Sequence, residues 1–388
     1  MNHKIEFWKI NIKQIFWLTK IFIFWRITLF IFAWVGIKLL PFKFSFPYVE
    51  ETLKPYGSTL FWSWANFDGV HYLGIAQKGY FAQYTQAFFP LYPLIVRWLN
   101  SIFGNFLFTG LLVSHLCFLG ALFFLYKLLM LDYKEKIVRK AIIFLVFFPT
   151  SFFFGSFYTE SLFLLLTLGS FYFARQKQWF YAGFFGLFAS LTRLIGVLLL
   201  PALLWEWYEY VKKKRISFRN YFSLLFLILP CIGLGIYMDY LQKNFSDSLY
   251  FLHAQPAFGA SRSADKIVLL YQVFYRYIRM IFISSKDTFL YFTINLEFLS
   301  ALIFLILLIM AFKKNIRTSY IIFSSLAYIL PTLTGTFSSM PRYVLVLFPC
   351  FIVLGLIKSR FKRIFLFLLQ LLLLFISTLL FTRGYWIA

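Results

Sequence analysis

The sequence predicts an all-α membrane protein, a polytopic helical bundle of about eleven spans, and three observations carry that prediction. Of 388 residues, 61% are hydrophobic and only 13% are charged, whereas soluble domains are roughly half apolar and a quarter charged. Several apolar runs exceed the ~18 residues needed to cross a hydrocarbon core about 30 Å thick. Basic residues fall in short clusters between those runs, the pattern that marks cytoplasmic loops. The net charge of +24 therefore reads as a topology signal and not as a nucleic-acid surface. A soluble enzyme with a single membrane anchor is excluded.

The basic clusters alternate regularly along the chain. They are Lys4, Lys9, Lys13 and Lys20; Lys127, Lys134, Lys136, Arg139 and Lys140; Arg175 and Lys177; Lys212, Lys213, Lys214 and Arg215; Lys313, Lys314 and Arg317; and Lys358 to Arg363. All can face the cytoplasm only if an even number of crossings separates neighbours. That condition places spans near residues 18–40, 106–126, 141–157, 158–174, 179–193, 194–211, 220–238, 288–311, 318–336, 343–357 and 364–381, with the N-terminus cytoplasmic. The first stretch, MNHKIEFWKINIKQIFWLTK, is basic ahead of an apolar run, but no small-residue cleavage site follows, so the first span is retained. Spans shorter than about 17 residues need aromatic belts or neighbouring helices to shield them. Residues 88–104, FFPLYPLIVRWLNSIFG, read as a re-entrant or interfacial helix, because a further crossing there would turn the Lys127 to Lys140 cluster outward.

Residues 1–388 form one membrane domain. Its two long outer loops, residues 41–105 and 239–287, carry aromatic-rich amphipathic stretches suited to helices lying in the interface plane. No Gly/Ser- or Pro-rich linker, convincing internal repeat or cytoplasmic domain large enough for a P-loop is present. Cys117, Cys231 and Cys350 lie in apolar segments without metal-ligand spacing and read as packing residues.

The fourteen acidic residues divide by predicted side. Glu6, Asp132, Glu135, Glu206 and Glu209 accompany cytoplasmic basic clusters as surface ion pairs. Glu50, Glu51, Asp68, Glu160, Asp239, Asp247, Asp265 and Asp287 face outward, while Glu297 falls inside a span. In WANFDGVHYLGIA, Asp68 and His71 share one face of a helix start. Two readings stand for Asp68: an N-cap for that helix, or a reactive carboxylate. Other outward turns are also polar, with Tyr158, Thr159 and Glu160 on one, Thr192 and Arg193 on another, His253 and Gln255 on a third, and Arg342 and Tyr343 on a fourth. Ionisable groups at membrane depth are costly and mark candidate sites. Two arginines and a histidine suit a phosphate, and a nearby carboxylate can take a hydroxyl proton. The set implies group transfer from a polyprenyl phosphate to an acceptor hydroxyl at the outer face.

FDGVHYLGIAQKGY and AFFPLYPLIVRWL, then FYTESLFLLLTLGSFYFA, LTRLIGVLLLPALL and PRYVLVLFP, run in that order between about residues 60 and 357. Together they resemble the phosphatidylinositol-glycan class V mannosyltransferases and their prokaryotic relatives, members of the type C glycosyltransferase (GT-C) superfamily. The resemblance implies a multi-span enzyme that takes a sugar, mannose or a close variant, from a polyprenyl-phosphate donor and passes it to a hydroxyl of a lipid-linked or surface glycan or glycolipid. It matches Asp68 to the family's first-loop acid, and so implies a general base that deprotonates the acceptor as its oxygen attacks the sugar C1. Direct displacement inverts the anomeric centre and needs one base, since phosphate leaves without protonation. In that scheme Arg193 and Arg342 stabilise charge on the phosphate, His71 and His253 donate to phosphate or sugar, and Trp64, Tyr158, Glu160, Gln255 and Tyr343 contact sugar or acceptor.

Phe67 stands directly before the aspartate where the family has Trp, with Trp64 three residues earlier, so the pocket departs from the family pattern there. No cofactor is implied, because the lipid-phosphate sugar is a substrate. A divalent metal at the phosphate, held by Asp68, Glu160 or His71, has no ligand spacing to support it. The membrane would be the plasma membrane of a prokaryote or the endoplasmic reticulum of a eukaryote, with the site on the non-cytoplasmic face and membrane lipid around it. The competing reading is a transporter or flippase of a lipid-linked sugar. Transporters place polar, broken-helix elements near the bilayer midplane, whereas the polar turns here gather at one predicted face.

Overall fold

The computed structural model describes residues 12–44, 49–212, 221–263 and 266–387. Among these residues the chain is all helix and turn, without strands. Lys4, Glu6, Lys9, Lys213, Lys214, Arg215 and Asp265 lie outside the described residues. The longer helices are, in chain order, α1 (Ile12–Leu39), α2 (Asp68–Lys78), α3 (Leu91–Phe103), α4 (Phe106–Met130), α5 (Glu135–Val146), α6 (Glu160–Arg175), α7 (Trp179–Thr192), α8 (Leu199–Val211), α9 (Leu229–Phe245), α10 (Leu270–Ile283), α11 (Phe289–Lys313), α12 (Thr318–Thr332), α13 (Phe348–Gly355) and α14 (Arg360–Thr382). Among the described residues, five helical segments are long and apolar enough to cross a membrane: α1, α4, Leu194–Val211, α11 and α14.

Local chemistry sets where these helices start and stop. Asn105 caps α4 by accepting Phe108 N–H at 2.9 Å, and Thr288 caps α11 through Tyr291 N–H at 3.3 Å. α3 ends at Gly104, whose φ of +69° is open to a residue without Cβ. Because Asn105 follows at once, α3 and α4 form a hairpin. At 13 residues α3 is about 20 Å long. Arg97 on α3 donates to the Ala76 and Ile75 carbonyls at 2.8 and 2.7 Å, which satisfies the last turn of α2 and ties the two helices together.

Two stretches expected as continuous spans, 141–157 and 343–357, are broken instead. Over residues 141–157, α5 stops at Val146; Pro149, with no N–H to donate, cannot continue it, and the tight turn Ser151–Gly155 follows. Between the expected spans 179–193 and 194–211 the backbone of Arg193 is extended, and a 3₁₀ turn, Leu194–Leu198, leads into α8. In the stretch 343–357 the short turns Met340–Tyr343 and Val344–Val346 come first, and α13 starts only at Phe348 with Pro349 in its first turn. Irregular backbone at membrane depth is tolerated only against protein or a cavity. Here side-chain hydroxyls satisfy freed carbonyls: Thr150 donates to Pro341 O at 2.5 Å and Ser156 to Phe152 O at 2.9 Å. α9 also extends past the expected end at 238 to Phe245, because an Asp239–Lys243 pair at 2.7 Å lets the helix continue as a polar surface.

Small residues bring α7 and α9 into backbone contact. A Cβ on Gly233 would lie 2.3 Å from the Leu187 carbonyl oxygen, whereas one on Gly235 would meet open space. Gly233→Ala is expected to cost about 1–3 kcal/mol through overpacking, read as a lowered unfolding temperature in detergent. Gly235→Ala, two residues on and on the opposite face of α9, should leave that temperature unchanged or raise it.

Candidate active site

Asp68 opens α2, but it does not cap that helix. The N-cap position is Phe67, which makes no side-chain cap bond. The Asp68 carboxylate instead accepts a hydrogen bond from Arg342 Nη1 at 2.6 Å. Arg342 Nε lies 3.4 Å from Glu160 Oε1, and the same oxygen accepts Arg193 Nη1 at 2.7 Å. The result is a row of alternating charge, Asp68, Arg342, Glu160, Arg193, drawn from four separate turns. Tyr343 presents its ring to both guanidinium groups, 5.2 Å from Arg193 and 5.5 Å from Arg342, and Phe153 and Tyr158 hold Arg342 from other sides at 5.3 and 5.4 Å.

Each partner of the Asp68–Arg342 pair follows a strained residue. Phe67 has φ +59° and Ser339 has φ +69°, a region that costs a residue with Cβ about 1–3 kcal/mol. Trp386 packs edge-on against Phe67 with ring centres 5.1 Å apart and helps hold that conformation.

The row opens on a cavity of about 810 Å³. Of the residues expected at the site, Asp68, His71, Arg193, Gln255, Arg342 and Tyr343 line it. His71 is stacked on Phe88 at 4.9 Å and meets Phe258 edge-on at 5.7 Å. Four expected residues do not line it. Trp64 is fully buried behind the wall, with Arg26 stacked 4.3 Å from its ring and its indole N–H donated to Leu60 O. Tyr158 is buried beneath Arg342, its hydroxyl donated to Asn66 O at 2.7 Å. Glu160 is buried, engaged by the two arginines. His253 turns outward to Asp247, Nδ1 to Oδ2 2.7 Å, an acid six residues away that satisfies it locally.

Sequence reasoning missed Arg262, Lys266, Ser338, Ser339, Phe258 and Trp386, all on the cavity wall. For Arg262 and Lys266 a signal existed. They are basic residues in a loop that the charge pattern assigns to the outer side, against the usual bias.

The electrostatics favour an ionised acid and a neutral histidine. Burial pushes the Asp68 carboxyl up, but Arg342, with smaller help from His71 and Arg262, more than offsets it and leaves the group below its ordinary 3.8. Burial pulls His71 below its ordinary 6.5 against the opposing pull of Asp68, so at pH 7 one ring nitrogen donates and the other accepts. Arg342 is held firmly charged: burial acts against it, and Asp68 and Glu160 outweigh burial. Among the described residues no three His, Cys, Asp or Glu side chains come together as metal ligands would.

No family model matches the chain, and no curated protein matches it. The GT-C resemblance rests on the motifs quoted for it.

Removing one member of a buried ion pair costs about 3–5 kcal/mol. Glu160→Ala, which deprives both Arg193 and Arg342, should therefore lower the unfolding temperature more than Gln255→Ala. Since the Asp68 pKa is depressed on folding, the stability it contributes is full above 3.8 and is lost as pH falls through the lower folded value. Wild type should lose an acid-sensitive increment of stability below about pH 4 that Asp68→Asn lacks, as measured by unfolding curves at stepped pH.

Proposed function

We propose that this chain is an integral-membrane glycosyltransferase that transfers a sugar, mannose by the resemblance, from a polyprenyl-phosphate donor to a hydroxyl of a lipid-linked or surface glycan. The observation that carries the reading is the convergence of Asp68 with Arg193 and Arg342 on one cavity, from turns separated by as many as 274 residues. Asp68 is ionised at neutral pH and takes the acceptor proton. The acceptor oxygen bonds to the sugar C1, the C1–O bond to phosphate breaks with inversion, and polyprenyl phosphate leaves carrying the displaced electron pair. The phosphate is received by cations. Arg193 and Arg342 each hold a carboxylate and the row carries no net charge, so Arg262 and Lys266 supply the net positive charge that faces the phosphate. His71, Phe88, Phe258 and Tyr343 supply the flat, partly polar surfaces a sugar ring packs against.

The chain passes the membrane eleven times in this reading, with the cavity on the non-cytoplasmic face. Two facts support the path. α6 runs from Glu160 in the site to Arg175, 16 residues and about 22 Å away. At that far end Arg175 pairs with Asp132 at 2.5 Å and Arg317 pairs with Glu206, beside the predicted cytoplasmic clusters.

Asp68→Asn should reduce transfer of labelled mannose from polyprenyl phosphate by roughly 10²–10⁴-fold, with the protein still inserted in membranes. A normal rate in that variant would sink the base assignment. If label crosses the bilayer with no new glycosidic bond, the chain is a transporter. Arg262→Ala and Lys266→Ala should raise the donor KM by roughly tenfold each while leaving kcat within about threefold, the signature of lost ground-state binding.

A further inference from the structure

Glu297 is the ninth residue of α11 and does not line the cavity. Both of its oxygens are engaged. Oε2 accepts the Tyr277 hydroxyl of α10 at 2.6 Å, and Oε1 accepts Ser339 N–H at 3.3 Å. Tyr277 Oη also lies 3.1 Å from Thr336 Oγ1, which accepts Ser338 N–H at 3.0 Å. A carboxylate inside an apolar helix is costly, and packing alone would be better served by an apolar residue of similar size. What it grips is the segment leading into the arginine turn. The Ser339 carbonyl accepts both Arg342 N–H and Tyr343 N–H at 3.0 Å, and Ser339 Oγ lies 3.5 Å from Arg342 Nη2. Ser339 itself sits at a φ of +69°, a conformation its surroundings must impose.

We infer that Glu297 is a positioning residue: through its bonds to Ser339 and Tyr277 it fixes the Met340–Tyr343 turn, and so aims Arg342 at Asp68 and Glu160. The inference deepens the proposed site, yet its main test does not depend on glycosyl transfer. Without the carboxyl group, Ser339 N–H is left buried without its acceptor, Tyr277 O–H keeps only Thr336 Oγ1, and Ser339 relaxes from its strained backbone. Arg342 then leaves its pocket more often.

The test is site-resolved modification of Arg342 by phenylglyoxal, read by peptide mass spectrometry on full-length protein in nanodiscs. Glu297→Ala should react roughly tenfold faster at Arg342 than wild type, because a released segment opens more often. Glu297→Gln keeps a carbonyl for Ser339 and should stay within about twofold of wild type. Should Glu297→Ala fail to fold, Tyr277→Phe removes one of the two holds and should show the same change in smaller degree. Equal Arg342 reactivity in wild type and in the folded variant overturns the inference. If wild type transfers no sugar, the proposed function fails while the labelling result stands on its own. Where transfer is present, Glu297→Ala should lower it in wild type and add nothing in an Arg342→Lys background, since the two act in series; an independent, additive loss counts against the inference.

Discussion

Four charges with little or no access to water in a chain this apolar persist as mutual partners, Glu160 and Arg342 buried and Asp68 and Arg193 reaching the cavity. Asp68, Arg342, Glu160 and Arg193 alternate in sign, so the row is neutral as a unit and each inner member faces an opposite charge on both sides. This constraint decides much of the architecture near it. The members come from the start of α2, the turn before α13, the start of α6 and the end of α7, so those four places must meet. Helices that would otherwise run straight through give up their regular backbone at that end to let the side chains reach.

The aromatic residues make the arrangement affordable. Rings of Tyr343, Tyr158 and Phe153 surround the guanidinium groups, replacing water with a polarisable surface. Behind the wall a third guanidinium, Arg26, is stacked on Trp64. Aromatic residues are 24% of the chain, and they do more than face lipid: they line the buried charges and shape the cavity beside them.

Much of this was legible in the sequence. The helical character, and the gathering of Asp68, Arg193 and Arg342 beside one cavity, followed from where rare charged residues interrupt apolar runs. Other features were hidden for physical reasons. Hydropathy sums over a window, so it cannot see that α5 ends short of Pro149 within an apolar run or that two short turns precede α13. Polarity marks a residue as unusual without saying which way it points, and so Trp64 and Tyr158 were expected in the cavity although both are spent on packing. His253 was expected to reach the site because its neighbours are polar, yet Asp247 satisfies it locally. Glu297 stood out as a lone acid in a span, but its meaning depended on Tyr277 and Ser339, which are brought to it only by the folded bundle.

The separation of Asp68 from Arg342 along the chain has a bearing on assembly. At ribosomal speeds of about 5–20 residues per second, the 274 intervening residues take roughly 14–55 s to emerge. For that interval the acid has no guanidinium to answer it, and the Trp386 ring that steadies Phe67 arrives later still. The early helices must therefore wait half-built, with the aspartate wetted or protonated, and the site closes as one of the last acts of biogenesis.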